Sequence, residues 1–437
     1  MAERAVAAEA SLSKSVGALA LTAAVVNVTV GGSIFALPGS LAASLGAWAP
    51  WAFVAGALLF LPIVLCFAAA GSRIGTSGGA YRYVQLAFGA LPGFAVAAIF
   101  WTSNVAGSAS MAAILAGQLS QRWPALGGGA ARTAFLFSVY AALVLLNARS
   151  VRLGAVAVLA FALAKMLPLF ALVAAALPSV QPARLVPSGP PGVAAVGSAL
   201  VLVVFAYSGV ETALAPSGEL RDPGRAVPRA ALAGVAIVVL AYVGLQTVAL
   251  GVLGPSLPGH EAPLVELADR LVPGAGLVVL ATAAVSLVGV LQGDLLGSSR
   301  LIFALARDGY LPSALAGVGA RHVPTRAVVA HALVAWVIAS AGSYEALALV
   351  SGGAFCLVYL GGCAAAWRLE RRGICETERP WRLPGGGATA LAAIVALLLV
   401  LAALRPQEWA AIAWAAAFVC ALYALRRWRD RAPTDGY

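Results

Sequence analysis

Two apolar stretches of this chain are each interrupted by small residues, one at Gly31-Gly32-Ser33 and the other at Ser208-Gly209, with Glu211 just beyond the second. In hydrocarbon a helix can release backbone NH and C=O groups only where they line a cavity and find a partner there. Two such interruptions, each opening one half of a chain, point to a site that holds a small charged solute by main-chain dipoles. Lys165, in Phe161-Ala-Leu-Ala-Lys165-Met-Leu-Pro168, is one of only two lysines and falls about mid-span. Asp294 lies six residues before Arg300 in another apolar run. A charge inside a membrane is expensive and marks a pathway or a relay by default. Asp294 has three open roles: pairing with a cationic solute, pairing with Lys165, or carrying a proton.

The elements that must position these residues are membrane helices. Of the 437 residues 62% are hydrophobic and 10% charged, against roughly 25% charged in soluble domains, and the mean hydropathy is +0.94. Apolar stretches near the roughly 20 residues that a bilayer demands recur throughout, at about 17 to 45, 48 to 71, 86 to 118, 132 to 148, 153 to 177, 192 to 216, 229 to 252, 273 to 303, 326 to 343, 345 to 367, 387 to 404 and 408 to 426. The expectation is an all-α membrane protein of twelve transmembrane helices in one domain over 1 to 437. If spans one to five (about 17 to 177) and six to ten (about 192 to 367) are repeats, each opens with a broken helix, and an odd number of spans per half inverts one relative to the other. Two extra helices, about 387 to 426, follow. Residues 262 to 271 read as a short external helix at the outer mouth or an ordinary surface piece.

Charge sets the expected orientation. With the N-terminus inside, 22 of the 28 Lys and Arg residues fall in cytoplasmic segments, as retention of cationic loops requires. Both termini are then cytoplasmic, in a multi-pass protein of the cytoplasmic membrane. The net charge of +11 follows from this topology and from adjacent anionic lipid, not from nucleic-acid binding. The first span is too long and too early broken for a cleaved signal. Cys66, Cys356, Cys363 and Cys420 sit in spans and Cys375 in a loop, without disulfide or zinc spacing. His260, His322 and His331 are scattered, mostly at span ends, which argues against a metal centre or a His-based catalytic site. No cofactor is implied, and a membrane-embedded enzyme would need a nucleophile and base that the spans do not offer.

Four local motifs occur in order along the chain. They are Asn27-Val-Thr-Val-Gly-Gly-Ser-Ile-Phe-Ala-Leu-Pro-Gly39; Ser77-Gly-Gly-Ala-Tyr-Arg-Tyr83; Phe205-Ala-Tyr-Ser-Gly-Val-Glu211 with Gly218-Glu219 and Asp222-Pro-Gly-Arg-Ala-Val-Pro228; and Ser299-Arg300 with Ala306-Arg-Asp-Gly-Tyr-Leu-Pro312 and Val323-Pro324. Together they resemble the first helix, the loop between helices two and three, the sixth helix with its following loop, and the end of the eighth helix of the amino acid-polyamine-organocation superfamily. Within that superfamily the chain resembles the bacterial amino acid permeases.

The resemblance implies a secondary transporter that moves amino acids by alternating access, coupled to protons or to counter-exchange and independent of sodium. The alternative is a polyamine or cationic amino acid antiporter, motivated by Asp294. Free NH groups at a half-helix N-terminus suit an α-carboxylate and C=O groups at the end of the preceding half suit an α-ammonium. Gly31, Gly32, Ser33 and Ile34 therefore fall on the carboxylate side, and Ser208, Gly209 and the carbonyls of Phe205 to Tyr207 near the ammonium. Ser33 departs from the family's usual Gly, which narrows the approach and adds a donor. Phe205 matches the aromatic that closes over the substrate as an outer gate, and Glu211 matches a gate residue bonded across the second break. Lys165 matches the helix-five lysine that replaces a sodium ion, with Ser298 and Ser299 expected beside it. Asn104 and Ser108 are further pocket candidates; as small polar residues in a span they also fit a packing role.

Overall fold

The computed structural model describes residues 16–120, 123–149, 151–215, 219–260, 262–319, 322–341, 344–402, 409 and 413. The fold is all α. Among the described residues six segments are long and apolar enough to cross a membrane: Leu37–Arg73, Ala90–Gly117, Gly129–Arg149, Val156–Ser179, Pro223–Gly259 and Gly276–Arg307. The shorter apolar helices Ala18–Thr29, Thr325–Ala341 and Gly387–Ala402 stand beside them. The expected twelfth span, 408 to 426, lies outside the described residues apart from two isolated positions.

In chain order the helices are α1 (Ala18–Thr29), α2 (Ser33–Leu45), α3 (Ala49–Arg73), α4 (Ala80–Phe88), α5 (Ala90–Ser120), α6 (Gly129–Arg149), α7 (Val151–Ala176), α8 (Val193–Tyr207), α9 (Val210–Ala213), α10 (Pro223–Leu253), α11 (Pro263–Leu271), α12 (Gly276–Arg307), α13 (Thr325–Ala341), α14 (Tyr344–Arg371) and α15 (Gly387–Ala402). Two boundaries differ from the sequence expectation. The third span is preceded by a separate amphipathic helix, α4, because Gly89 at φ 99° turns the chain before α5 begins. The seventh begins six residues early, at Pro223, where a fixed φ suits a first helical turn and the Asp222 carboxylate accepts from the Arg225 amide at 3.3 Å.

Burial distinguishes the central helices from the peripheral ones. On α12 every residue from Gly289 to Ala306 is buried, the mark of a helix enclosed on all sides. On α6 the described buried residues are Leu136, Tyr140, Leu143 and Asn147, a single helical stripe. The short α1 packs against α7, α10 and α12, while α9 packs against α1 and α12. Close approach of α12 to α1 depends on two glycines: a Cβ at Gly289 would lie 2.6 Å from Asn27 Oδ1, and one at Gly293 would lie 2.5 Å from Val28 Cγ2. Missing side chains let the two backbones meet, as small residues do generally in membranes.

The segment beyond α9 returns to the start of the chain. Val16 donates to the Glu219 carbonyl at 3.1 Å and accepts from the Arg221 amide at 3.3 Å. Beneath this bridge the Arg300 Nε and Glu219 Oε1 atoms are 2.6 Å apart, both side chains fully buried.

Candidate functional site

The first break runs from Val30, the cap of α1, to Ser33, the first residue of α2. Its carbonyls are claimed from three directions. Lys165 Nζ on α7 donates to Asn27 O and Val30 O at 2.8 Å each and to Ser286 O of α12 at 3.3 Å. Three donors on an ammonium thus meet three acceptors. The Ser286 hydroxyl adds a donor to Val30 O at 2.9 Å. On the other face, the Tyr242 hydroxyl of α10 lies 3.0 Å from Thr29 O and 3.2 Å from Ala206 O. One phenol therefore touches both breaks.

The second break is a tight turn at Ser208-Gly209. Gly209 has φ 127°, a region that only glycine enters without strain. Its amide faces both carboxylate oxygens of Glu211 at 3.1 Å, and Tyr359 of α14 donates to Glu211 Oε2 at 2.8 Å. A Cβ on Gly209 would stand 3.1 Å from the Thr29 amide nitrogen, so the second break packs directly on the end of α1, next to the first.

Between them lies a cavity of about 80 Å³ lined by both breaks and by α5, α12 and α14, large enough for several waters or a small zwitterion's head. Gly31, Gly32, Ser33, Asn104, Ser108, Ser208, Gly209 and Asp294 all border it. Thr29, Thr212 and Ser351 border it as well, and sequence reading passed over them because isolated hydroxyls are common in apolar spans. Asn104 Oδ1 accepts from the Thr212 hydroxyl at 3.2 Å, and Ser108 is 3.1 Å from the Tyr140 hydroxyl. Among the described residues of this lining, Asp294 is the only ionisable one.

Other expected members stand elsewhere. Ile34 is fully buried in the core and does not border the cavity. The Tyr207 hydroxyl donates to Phe53 O at 3.0 Å, so its ring packs outward against α3 rather than toward the hollow. The side chain of Phe205 lies outside the described residues. Ser298 and Ser299 do not accompany Lys165: Ser298 donates to Asp294 Oδ1 at 2.8 Å, and Ser299 donates to Leu296 O and accepts from Arg300 Nη1. Helical register explains the correction, since Ser298 sits one turn after Asp294 while Ser286, three turns earlier on α12, is level with Val30. Nor does Asp294 meet Lys165. Its Oδ2 lies 2.9 Å from Nε2 of His331, which the sequence had placed among scattered residues at span ends and which is fully buried on α13.

The profile of the amino acid permease family matches residues 16–425. The chain belongs to the amino acid permease family. The permease is similar to a polyamine transporter, PUT1, from Oryza sativa subsp. japonica, at 26% identity over 83% of this chain and 70% of that protein. It is similar to the b(0,+)-type amino acid transporter 1 of Mus musculus, at 27% identity over 86% and 79%. It is also similar to the branched-chain amino acid permease BcaP of Lactococcus lactis subsp. cremoris, at 26% identity over 82% and 83%. Relatives of the permease thus occur in plants and animals as well as bacteria, and the likeness is not a bacterial one alone. The family is one of transporters, not enzymes. The permease is accordingly a membrane-embedded secondary transporter of small solutes in the amino acid and polyamine class.

Proposed function

We propose that the permease exchanges cationic amino acids or polyamines across the membrane by alternating access, without sodium. The observation that carries this reading is the Asp294 carboxylate, among the described residues the sole ionisable group on the wall of a cavity formed by two helix breaks. A buried carboxylate facing a hollow favours a cation there, because an uncompensated charge away from water costs several kcal/mol. The α-carboxylate of an amino acid would take the NH groups of Gly31, Gly32 and Ser33, which open α2 and have no intrahelical partner. The ammonium would sit toward Ser208 and the cavity side of Thr29. Glu211, held by Gly209 and Tyr359, and Phe205 would gate the outer side. Two of the relatives, a polyamine transporter and a b(0,+)-type amino acid transporter, are consistent in name with such a substrate.

Lys165 supports sodium independence. Its ammonium takes the carbonyls of Asn27, Val30 and Ser286, oxygens that a bound sodium ion would otherwise require. The wider architecture in this reading is twelve helices, five plus five inverted and two added, with both termini cytoplasmic.

A second reading, transport of neutral amino acids, has its own observation. Both Asp294 oxygens already accept hydrogen bonds, from Ser298 and His331, so a carboxylate satisfied from behind does not demand a substrate cation. A thermal-shift screen of the purified full chain against arginine, putrescine and leucine decides between them, because a specific ligand raises the unfolding temperature by mass action. Stabilisation by arginine or putrescine but not leucine is the expected result. Stabilisation by leucine alone moves the assignment to neutral substrates.

A further inference from the structure

The Asp294–His331 pair has a hydrogen-bond pattern that orients the imidazole. Trp101 Nε1 on α5 lies 3.3 Å from His331 Nδ1, and an indole NH can only donate. Nδ1 must therefore accept, which leaves the imidazole proton on Nε2, directed at Asp294 Oδ2 2.9 Å away. Ser298 donates to the other oxygen. This is the pattern of a carboxylate paired with a neutral imidazole, so the pair presents an acidic group to the cavity wall.

Among the described residues no lysine or arginine forms an ion pair with Asp294. Of the helices packed against α12, α7 brings Lys165, whose Nζ is spent on three carbonyls. From α6 come the Tyr140 phenol, which hydrogen-bonds with Ser108, Arg132 near one end, which donates to Ala339 O, and the exposed Arg149 at the other. The contribution of α9 is Glu211, an acid turned to Gly209 and Tyr359. Neither α1 nor α5 has an ionisable residue in its span, and α11 places Glu266, Asp269 and Arg270 on a short helix beyond the α12 terminus. α13 itself supplies only His331 and, in its first turn, Arg326.

We propose that the Asp294–His331 pair is a single site for which a proton and the cationic group of the substrate compete, so that loading a cation on one face of the membrane expels a proton. This rests on the cationic reading above and deepens it. When the imidazole takes a proton at Nδ1, Trp101 must turn away, the pair becomes an imidazolium and a carboxylate, and the negative charge that attracts the substrate is neutralised. When a cation binds, that proton leaves to solvent and the Trp101 hydrogen bond reforms. His331 here is a positioning and proton-accepting residue, while Asp294 is the group that meets substrate.

The test uses the purified full-length permease with arginine, putrescine and leucine as probes, between about pH 5 and pH 8, the range in which an imidazole titrates. Binding is followed by calorimetry in two buffers of different ionisation enthalpy, which counts the protons released. Expected for arginine or putrescine is an affinity that drops by about tenfold per pH unit on the acid side, with release approaching one proton per ligand there and no release for leucine. In H331Q, where the amide can still donate to Asp294 and accept from Trp101, the midpoint of the profile, normalised to the variant's own alkaline plateau, moves to lower pH by more than about one unit, since a lone carboxyl titrates below an imidazole. Cation binding in the wild type with no proton release overturns the proposal, as does an H331Q profile with an unmoved midpoint. Binding of leucine alone overturns the cationic reading and this proposal together, whereas proton-independent binding of arginine overturns only this one. The wild-type proton count stands whether or not H331Q folds.

Discussion

Lys165 Nζ donates to the carbonyl of Val30 at 2.8 Å, so that a cation from a helix 135 residues further along the chain closes the acceptor end of the first break. The contact couples the break to α7 and, through Ser286, to α12. In the sodium-independent reading proposed above, an ammonium in that position takes the place of a bound metal ion. Its loss would take a donor from three buried carbonyls, of which Val30 O keeps the Ser286 hydroxyl, and a buried acceptor left unsatisfied costs about 1–3 kcal/mol.

Uptake of labelled substrate into proteoliposomes should therefore be the same in sodium and in choline buffer, and K165A should reduce it by more than about tenfold, the equivalent of 1.4 kcal/mol. K165R should not restore it, because a planar guanidinium cannot fill a three-acceptor pocket shaped for an ammonium. Near-normal uptake by K165A would remove Lys165 from the cycle.

D294N removes charge and keeps shape. Affinity for arginine and putrescine should fall by more than about tenfold while that for leucine changes little, since only cations lose a charge partner. Equal losses for all three, measured by competition against one labelled ligand, would mean that the carboxylate serves the α12–α13 contact rather than the substrate.

Much of this arrangement was legible in the sequence because its signals are local. Gly31-Gly32 and Ser208-Gly209 break apolar runs that nothing else explains, and the long spans announce themselves by hydropathy; both breaks lie where the chain order indicated. Partners across helices were not legible. Whether Ser286 or Ser298 faces Lys165 depends on the register of α12 against α1, which Gly289 and Gly293 set by close packing rather than by any pattern along α12 itself. His331 is 37 residues from Asp294, and a lone histidine in an Ala- and Val-rich helix carries no spacing signal. Tyr242 is similarly anonymous in α10, although its hydroxyl joins the two breaks. The amphipathic α4 is not separable from a loop in the sequence, because its stop signal, Gly89, is a single residue whose positive φ only the folded chain displays.

G209A should be more damaging than its size suggests. The residue holds φ 127° and its new Cβ would press on Thr29 N and Val28 Cγ1 at 3.1 Å, adding strain of about 1–3 kcal/mol at a non-glycine position and prising the second break from the end of α1. Expression and monodispersity should survive, with substrate binding reduced by more than about tenfold in a radioligand assay. Unaltered binding would show that contact between the second break and the end of α1 is not what shapes the cavity.

A pH effect on stability is expected where α4 meets the end of α12, outside the membrane-spanning segments. Asp308 accepts from the Tyr81 hydroxyl at 2.5 Å and from Arg307 Nε at 2.8 Å. Burial alone would push its carboxyl up, but the Arg307 hydrogen bond and charge, the Tyr81 hydroxyl and the charge of Arg82 together hold it below the usual carboxylate value. The Tyr81 phenol moves the opposite way, raised by burial and then by the Asp308 charge. A depressed acid stabilises above its unfolded value, here about 4, and loses that contribution as pH falls through its folded value; a raised phenol stabilises below about 10 and loses it as pH climbs further. D308N should therefore lower stability at neutral pH by about 1–3 kcal/mol, the worth of a charge-assisted hydrogen bond. The gap between variant and wild type in thermal unfolding should narrow as pH drops below about 4. A gap that stays constant across that range would show that the carboxylate's charge plays no part in tying α4 to α12.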